Sequence, residues 1–206
     1  MNWITKIIKA GEKIKTAIRE RSTKADIANS DWTSCCRGPI LKKDLEANLW
    51  VCPDCNKHHY MSPTNRFNLM FGKDGWKKIE SPHPPPDPYK WVDTKKYIDR
   101  LKDAKKITGQ DNAILSCEAK INSIDVVVSA VDFKFIGGSI SMAEGENVLA
   151  AVQTALDKKC PYIFVSASGG MRMMTNILSL MQMTRMTVGI NALREQNLPY
   201  IVVATS

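Results

Sequence analysis

No run of eighteen or more apolar residues occurs anywhere in the 206-residue chain, so no segment reads as a membrane-spanning helix. Met1–Lys15 interleaves lysines with isoleucines where an export signal would carry a solid apolar block and a small-residue cleavage site. Cysteine is also scarce: six in 206 residues make too thin a disulfide framework for a secreted chain of this size. These absences argue against a membrane-spanning helix and a disulfide scaffold, and they lead us to expect a soluble cytoplasmic chain. The apolar content of 44% is ordinary for a globular core.

The formal charge of +8 is unevenly spread. Lys6, Lys9, Lys13, Lys15, Arg19, Arg21 and Lys24 face only Glu12 and Glu20 in the first 24 residues. Ile4, Ile7, Ile8, Ile14 and Ile18 fall near helical spacing, which predicts an amphipathic helix over 2–20 within an N-terminal arm, 1–29. A solvated helix face is the plainer account of its basic side, and nucleic acid, an anionic membrane surface or an acidic partner are the alternatives.

Four of the six cysteines crowd into 30–60: Cys35, Cys36, Cys52 and Cys55. Cys52-Pro53-Asp54-Cys55 is a C-x-x-C knuckle, whose two thiolates can point at one tetrahedral zinc ion. Cys35 and Cys36 are adjacent, and neighbouring side chains usually diverge, so His58 or His59 could take the place of one of them. Structural zinc, a metal-free site held by packing, and a redox pair are all compatible with this module. Beyond it, 61–92 reads as a linker, with five prolines in Ser81–Pro88 that forbid helix and strand interiors.

From 93 the pattern becomes alternating strands and helices. A charged helix is predicted over 93–107, strands over Ala113–Ile121 and Asp125–Phe135, and a helix opened by the capping box Ser141-x-x-Glu144. Pro161-Tyr162-Ile163-Phe164-Val165 reappears as Pro199-Tyr200-Ile201-Val202-Val203, with a helix expected over 171–195 between them. Strand, helix, strand argues for parallel pairing of the two repeats in an α/β layer. Six of the ten methionines lie at Met171, Met173, Met174, Met181, Met183 and Met186. They suit core packing or an adaptable subunit interface. The last strand reads as buried, and the expectation is a chain cut short at its C-terminal end.

Two glycine pairs, Gly137-Gly138 and Gly169-Gly170, each sit between a strand and a helix. Such junctions allow a sharp turn and leave amides at a helix N-terminus, where developing negative charge is stabilised. A tight turn without a ligand is the plainer alternative. Neither pair matches the phosphate loop G-x-x-x-x-G-K-[ST] or the full G-x-G-x-x-G fingerprint.

Taken in order, Trp32-Thr33, Asp44-Leu45-Glu46-x-Asn48-Leu49, Cys52-Pro53-x-Cys55, Asp132-Phe133-x-Phe135-x-Gly137-Gly138-Ser139, Ser166-Ala167-Ser168-Gly169-Gly170-x-Arg172-Met173 and Ser179-Leu180-Met181-Gln182-Met183 resemble the carboxyltransferase β subunits of bacterial and plastid acetyl-CoA carboxylase. The resemblance covers nearly the whole chain. It implies an α/β crotonase-like (ClpP/crotonase) spiral over 93–206 behind a zinc ribbon at 30–60, with Zn²⁺ on Cys35, Cys36, Cys52 and Cys55. It further implies transfer of a carboxyl group from biotin, carried on a separate carrier protein, to acetyl-CoA, giving malonyl-CoA for fatty-acid synthesis.

By the same resemblance the Gly169 and Gly170 amides form an oxyanion hole, while Gly137, Gly138, Ser139 and Arg172 contact substrate. No side-chain nucleophile is expected; the freed ureido nitrogen of biotin acts as the base. Expected partners are a carboxyltransferase α subunit in an α2β2 assembly, the biotin carboxyl carrier protein and biotin carboxylase. Another acyl-CoA as substrate, or a zinc-ribbon nucleic-acid-binding protein, are the alternatives. The chain departs from the family pattern at adjacent Cys35-Cys36, at Ser141 in place of a common glycine, and at Met171 in place of a small alanine.

Overall fold

The computed structural model describes residues 31–35 and 38–205. The expected arm, 1–29, and Cys36 lie outside the described residues. The chain divides into two units, Met1–Met61 and Ser62–Ser206.

In the first unit, strands β1 (Trp32–Cys35) and β2 (Gly38–Leu41) form an antiparallel hairpin. A short helix, α1 (Lys42–Ala47), follows and buries Leu45 completely. The chain then folds back through the C-x-x-C knuckle. Cys52 N–H donates to Lys57 O at 2.9 Å, Asn56 N–H to Cys52 O at 2.9 Å, and His59 N–H to Trp50 O at 2.8 Å.

In the second unit, alternation along β5 (Ile124–Val131) decides the layering. Val127 and Val131 belong to one apolar cluster and Val126, Val128 and Ala130 to another, so the strand is covered on both faces. β5 pairs antiparallel with β4 (Ile114–Ile121), and β4 with the short β3 (Trp76–Lys78). On its other side β5 pairs parallel with β6 (Tyr162–Ser166), and β6 with β7 (Tyr200–Ala204). The sheet order is β3-β4-β5-β6-β7. Tyr162 pairs with Tyr200 and Ile163 with Ile201, so the two Pro-Tyr-Ile repeats are parallel neighbours in register, as expected from the sequence.

One face of the sheet is covered by α4 (Met142–Lys158), which buries Val148, Ala151, Val152 and Ala155 at helical spacing. The other face carries α2 (Pro63–Phe71), whose Phe67 is fully buried and meets Trp76 edge-on at 5.4 Å. Thus 61–92, read from the sequence as a linker, contributes a helix and an edge strand to this unit, while 81–88 takes no regular structure. A third cluster joins Tyr97, Leu101 and Ala104 of α3 (Tyr97–Thr108) to Ala113 and Phe135.

Three expectations need correction. β5 ends at Val131 instead of Phe135, because the Asp132 carboxylate accepts the Lys134 amide at 2.9 Å and turns the chain. The methionine-rich helix α5 (Asn176–Glu195) buries Ser179, Gln182 and Leu193, whereas Met181 and Met183 are exposed by 54% and 52%, and Met173, just before the helix, by 77%. β7, read as buried, is exposed along its length.

Candidate functional site

The glycine turns come together. The segment 166–170 leaves β6 and crosses the turn at 136–139 that follows β5, held by Gly169 N–H donating to Gly137 O at 2.9 Å. Ile140 and Met171 form a parallel bridge beside this contact, with Ile140 N–H donating to Gly170 O and Arg172 N–H to Ile140 O, both at 2.8 Å. Ser168 adds a side-chain link. Its hydroxyl donates to Gly138 O at 2.7 Å and accepts from Gly170 N–H at 3.1 Å.

This corrects the picture of two free amides at the second turn. Gly169 N–H is committed to the backbone of the first turn, and among the described residues Gly170 N–H is held only by a rotatable hydroxyl. Ser168, Gly169 and Gly170 are exposed, while Gly138 is buried. Gly170 has φ +100°, and a Cβ built on it would meet nothing within 4 Å, so the space beside its amide is open. At Gly138, φ +62°, a Cβ would lie 2.3 Å from Ala167 O.

Arg172, expected at the substrate, is buried, 3% exposed. Its guanidinium pairs with Glu144 at 2.6 Å, donates to the Tyr97 hydroxyl and to Ser139 Oγ at 3.0 Å each, contacts Ser139 O, and lies over the Phe135 ring at 5.6 Å. Burial works against its charge, but Glu144 and Tyr97 outweigh that and hold its pKa above the ordinary value. Glu144 also accepts from Ser141 N–H at 2.9 Å, closing the expected capping box, and from Ala113 N–H at 3.0 Å. One buried carboxylate therefore ties α4, the start of β4 and Arg172 together. A cavity of ≈ 340 Å³ opens beside this network, lined by Tyr97, Ser141, Glu144 and Arg172 among others.

Two buried cysteines are poor nucleophiles. Burial pushes the Cys117 thiol up to about 12 and raises that of Cys160. A polar string missed by the sequence reading runs under the sheet, where Tyr162 donates to Ser129 Oγ at 2.9 Å and Ser129 meets Ser116 at 2.6 Å.

In the first unit, Cys35, Cys52 and Cys55 bring their sulfurs within 4.8 Å of one another. A tetrahedral ion with thiolate bonds of about 2.3 Å needs sulfurs about 3.8 Å apart, so the three fit a zinc ion. Cys35 Sγ is 3.5 Å from Cys55 Sγ and 3.3 Å from His59 Nε2.

Residues 92–206 match the carboxyl transferase domain family. Over 205 residues the chain is 54% identical to the acetyl-coenzyme A carboxylase carboxyl transferase subunit beta of Pelagibacter ubique, covering 100% of this chain and 66% of that protein. The subunit of the same name from Beijerinckia indica is 40% identical, with 100% and 69% covered. This chain belongs to the carboxyl transferase family, among the acetyl-CoA carboxylase β subunits.

This carboxyl transferase chain spans about two thirds of the length of those curated relatives. Among solved structures it resembles transcarboxylase 12S crystallised with methylmalonyl-coenzyme A, at TM-score 0.56 and 14% identity over 95% of this chain and 32% of that one. It also resembles the β subunit of Pseudomonas aeruginosa geranyl-CoA carboxylase, at TM-score 0.52 and 18% identity over 78% and 27%. At such identities the likeness speaks for the fold, a crotonase-like α/β architecture accompanied by zinc-ribbon cysteines. Among the described residues of the carboxyl transferase chain, no helix is long and apolar enough to cross a membrane.

Proposed function

We propose that this chain serves as the β subunit of an acetyl-CoA carboxylase carboxyltransferase, moving a carboxyl group from carboxybiotin to acetyl-CoA to give malonyl-CoA in the cytoplasm. The observation that carries this reading is Gly170: an exposed amide at a strand-to-helix junction, with open space beside it and only the Ser168 hydroxyl upon it. Removal of a proton from the acetyl methyl group places negative charge on the thioester oxygen. A directed N–H worth about 10²–10³ in rate is what that oxygen requires. In the proposed complex the Ser168 hydroxyl rotates away and the Gly170 amide donates to the enolate.

Gly169 has a different part in this scheme. Its amide stays on Gly137 O and fixes the spacing of the two turns, while Gly137, Gly138 and Ser139 form the wall against which the thioester lies. Arg172 acts one step back, positioning Ser139 through its guanidinium. Biotin, carried on the carrier protein, supplies the carboxyl group and the base.

The partners in this proposal are a carboxyltransferase α subunit in an α2β2 assembly, the biotin carboxyl carrier protein and biotin carboxylase. The outward Leu180, Met181, Met183 and Val188 of α5 suit a subunit contact, since flexible thioethers conform to irregular surfaces. We assign the carboxyltransferase module to the unit from Ser62 onward and the zinc ribbon to 30–60, with Cys35, Cys52 and Cys55 holding a structural ion.

The test assays malonyl-CoA formation by the chain assembled with its α subunit and carboxylated carrier, for the native sequence and for Gly170→Val. A loss of about 100-fold or more in kcat is expected from bulk beside the amide. Unimpaired turnover by the variant defeats the assignment of Gly170. Propionyl-CoA replacing acetyl-CoA as the better substrate defeats the assignment of substrate.

A further inference from the structure

The proline-rich stretch 81–88 has no part in the reaction proposed above, yet it flanks another cavity, of ≈ 420 Å³, within the range of about 300–1,000 Å³ that small-molecule sites occupy. Pro85 and Pro86 form one side, and Trp91, Val92 and Ile98 supply the rest of the apolar surface. Proline fixes φ, so that side is stiff before anything binds. Trp91 and Ile98 also pack on the cluster of Tyr97, Leu101 and Phe135. Ile136, beside Gly137, and Met174, a few residues after Gly170, pack on the same cluster. One apolar base therefore underlies this pocket and the two glycine turns.

The pocket carries an excess of positive charge. Lys90 and Lys96 line it and are exposed. Neither makes an ion pair among the described residues, whereas the nearby Lys95 and Arg100 are paired with Asp103 and Asp93. The acidic residue of the lining is Asp87, whose Oδ1 accepts the Trp91 backbone N–H at 3.0 Å. That bond, with Lys90 N–H donating to Asp87 O at 3.3 Å, closes the turn that presents Lys90. Lys90 holds φ +49° there, a left-handed conformation that a residue with a Cβ keeps where its surroundings over-determine it. The indole of Trp91 adds a polar feature of its own. Its Nε1–H is buried with no acceptor among the described residues, and unmet buried donors are uncommon in folded chains.

Two unpaired cations beside an aromatic side chain with an unmet N–H suit a ligand that is anionic at one end and a planar ring with acceptor nitrogens at the other. The thioester of the proposed reaction carries both, an adenine ring and phosphate groups far from the reacting carbon. We propose that the pocket between Pro85-Pro86 and the start of α3 holds the 3′-phosphoadenosine end of the acyl-CoA, with Lys90 and Lys96 on its phosphates and Trp91 against the base. The inference rests on the reading of the chain as an acyl-CoA carboxyltransferase. Binding of the unreactive end then holds the thioester at Gly170, since interactions with remote parts of a substrate are what position the reacting part.

The experiment uses the chain assembled with its α subunit and carboxylated carrier. It compares kcat/KM for acetyl-CoA with that for acetyl-pantetheine, which has the same thioester and no nucleotide. The native enzyme should prefer acetyl-CoA. In the double variant Lys90→Gln/Lys96→Gln that preference should fall about 10–100-fold, the scale of one hydrogen bond to a charged group, and chiefly through KM. Lys90→Arg/Lys96→Arg should recover most of it. Adenosine 3′,5′-bisphosphate, the probe for direct binding, should compete with acetyl-CoA in the native enzyme and bind at least about tenfold more weakly to the glutamine variant in calorimetry. Equal losses on both thioesters, or no loss on either, overturn the proposal: the first makes the lysines structural and the second makes them bystanders. A higher KM for the carboxylated carrier in place of acetyl-CoA overturns it as well, and makes this face a contact for an acidic protein segment. A native assembly that carboxylates neither thioester defeats the reaction proposed above. Calorimetry then decides the site by itself, since lysine-dependent binding of the bisphosphate upholds it and absence of binding removes it.

Discussion

Gly138 and Gly170 both hold positive φ in turns that follow sheet strands, yet a methyl group on the first would lie 2.3 Å from a carbonyl oxygen and one on the second meets nothing within 4 Å. The first turn is buried against Ala167 and Val131 and is backed by Arg172 through Ser139. The second is exposed and is tied to the first through Gly169 N–H to Gly137 O, Ile140 N–H to Gly170 O and the Ser168 hydroxyl. The same residue pair thus serves once as a wall and once as an opening. A site that must admit a thioester and still aim an amide at it needs one of each: a rigid surface to define position, and a donor with free space in front of it.

The wall is where the contrast is most easily broken. Arg172→Met removes one partner of a fully buried ion pair and leaves the Glu144 carboxylate, itself 0% exposed, without its counter-charge. Such losses cost about 3–5 kcal/mol. We expect a fall of that size in stability to urea, and a change below about 1 kcal/mol would show that the network does not brace the first turn. Gly138→Ala comes next, at about 2–4 kcal/mol, from the positive φ combined with overpacking against a backbone oxygen that cannot swing aside. Gly170→Ala carries the conformational part alone, about 1 kcal/mol. Equal costs at the two glycines would erase the distinction between wall and opening.

How far the sequence foretold this depends on the range of each interaction. The parallel strands were legible because Pro161-Tyr162-Ile163 and Pro199-Tyr200-Ile201 repeat locally, and the Ser141–Glu144 cap because its two members are three residues apart. Helix α2 left a signal that went unread: Ser62 before Pro63, with the Ser62 hydroxyl accepting from Asn65 N–H at 3.2 Å. β3 is three residues long and exposes Lys77 and Lys78, so alternation had almost nothing to register. In α5 apolar residues surround the helix, and periodicity therefore could not say which methionines are covered.

The site divides along the same line. Both glycine turns announced themselves by composition, and their mutual bonding did not, since it joins residues about thirty apart. Arg172 was found without its neighbours in the fold, because Glu144 is 28 residues away and Tyr97 is 75, and no local pattern links them. His58 and His59 were equal candidates in sequence, and it takes the fold to set His59 Nε2 3.3 Å from Cys35 Sγ and to pair His58 with Val51.

An effect as small as that at Gly170→Ala is also the sharpest test of the opening. Ser168 touches both turns, donating to Gly138 O at 2.7 Å and accepting from Gly170 N–H at 3.1 Å. Ser168→Ala removes these two bonds at a partly solvated position, so the stability cost is about 0.5–1.5 kcal/mol. Gly170 N–H loses its partner within the chain, and its hydrogen exchange should speed up while that of Gly169, bonded to Gly137 O, stays slow. Unchanged protection at Gly170 would mean that its amide is held by something other than the serine. In the assembled enzyme the variant offers the thioester a donor that no longer has to be released. Turnover should then remain within about tenfold of the native value where Gly170→Val loses about 100-fold or more. A Ser168→Ala enzyme as inactive as Gly170→Val would make the hydroxyl part of the binding machinery and move the proposed donor from the glycine amide to the serine.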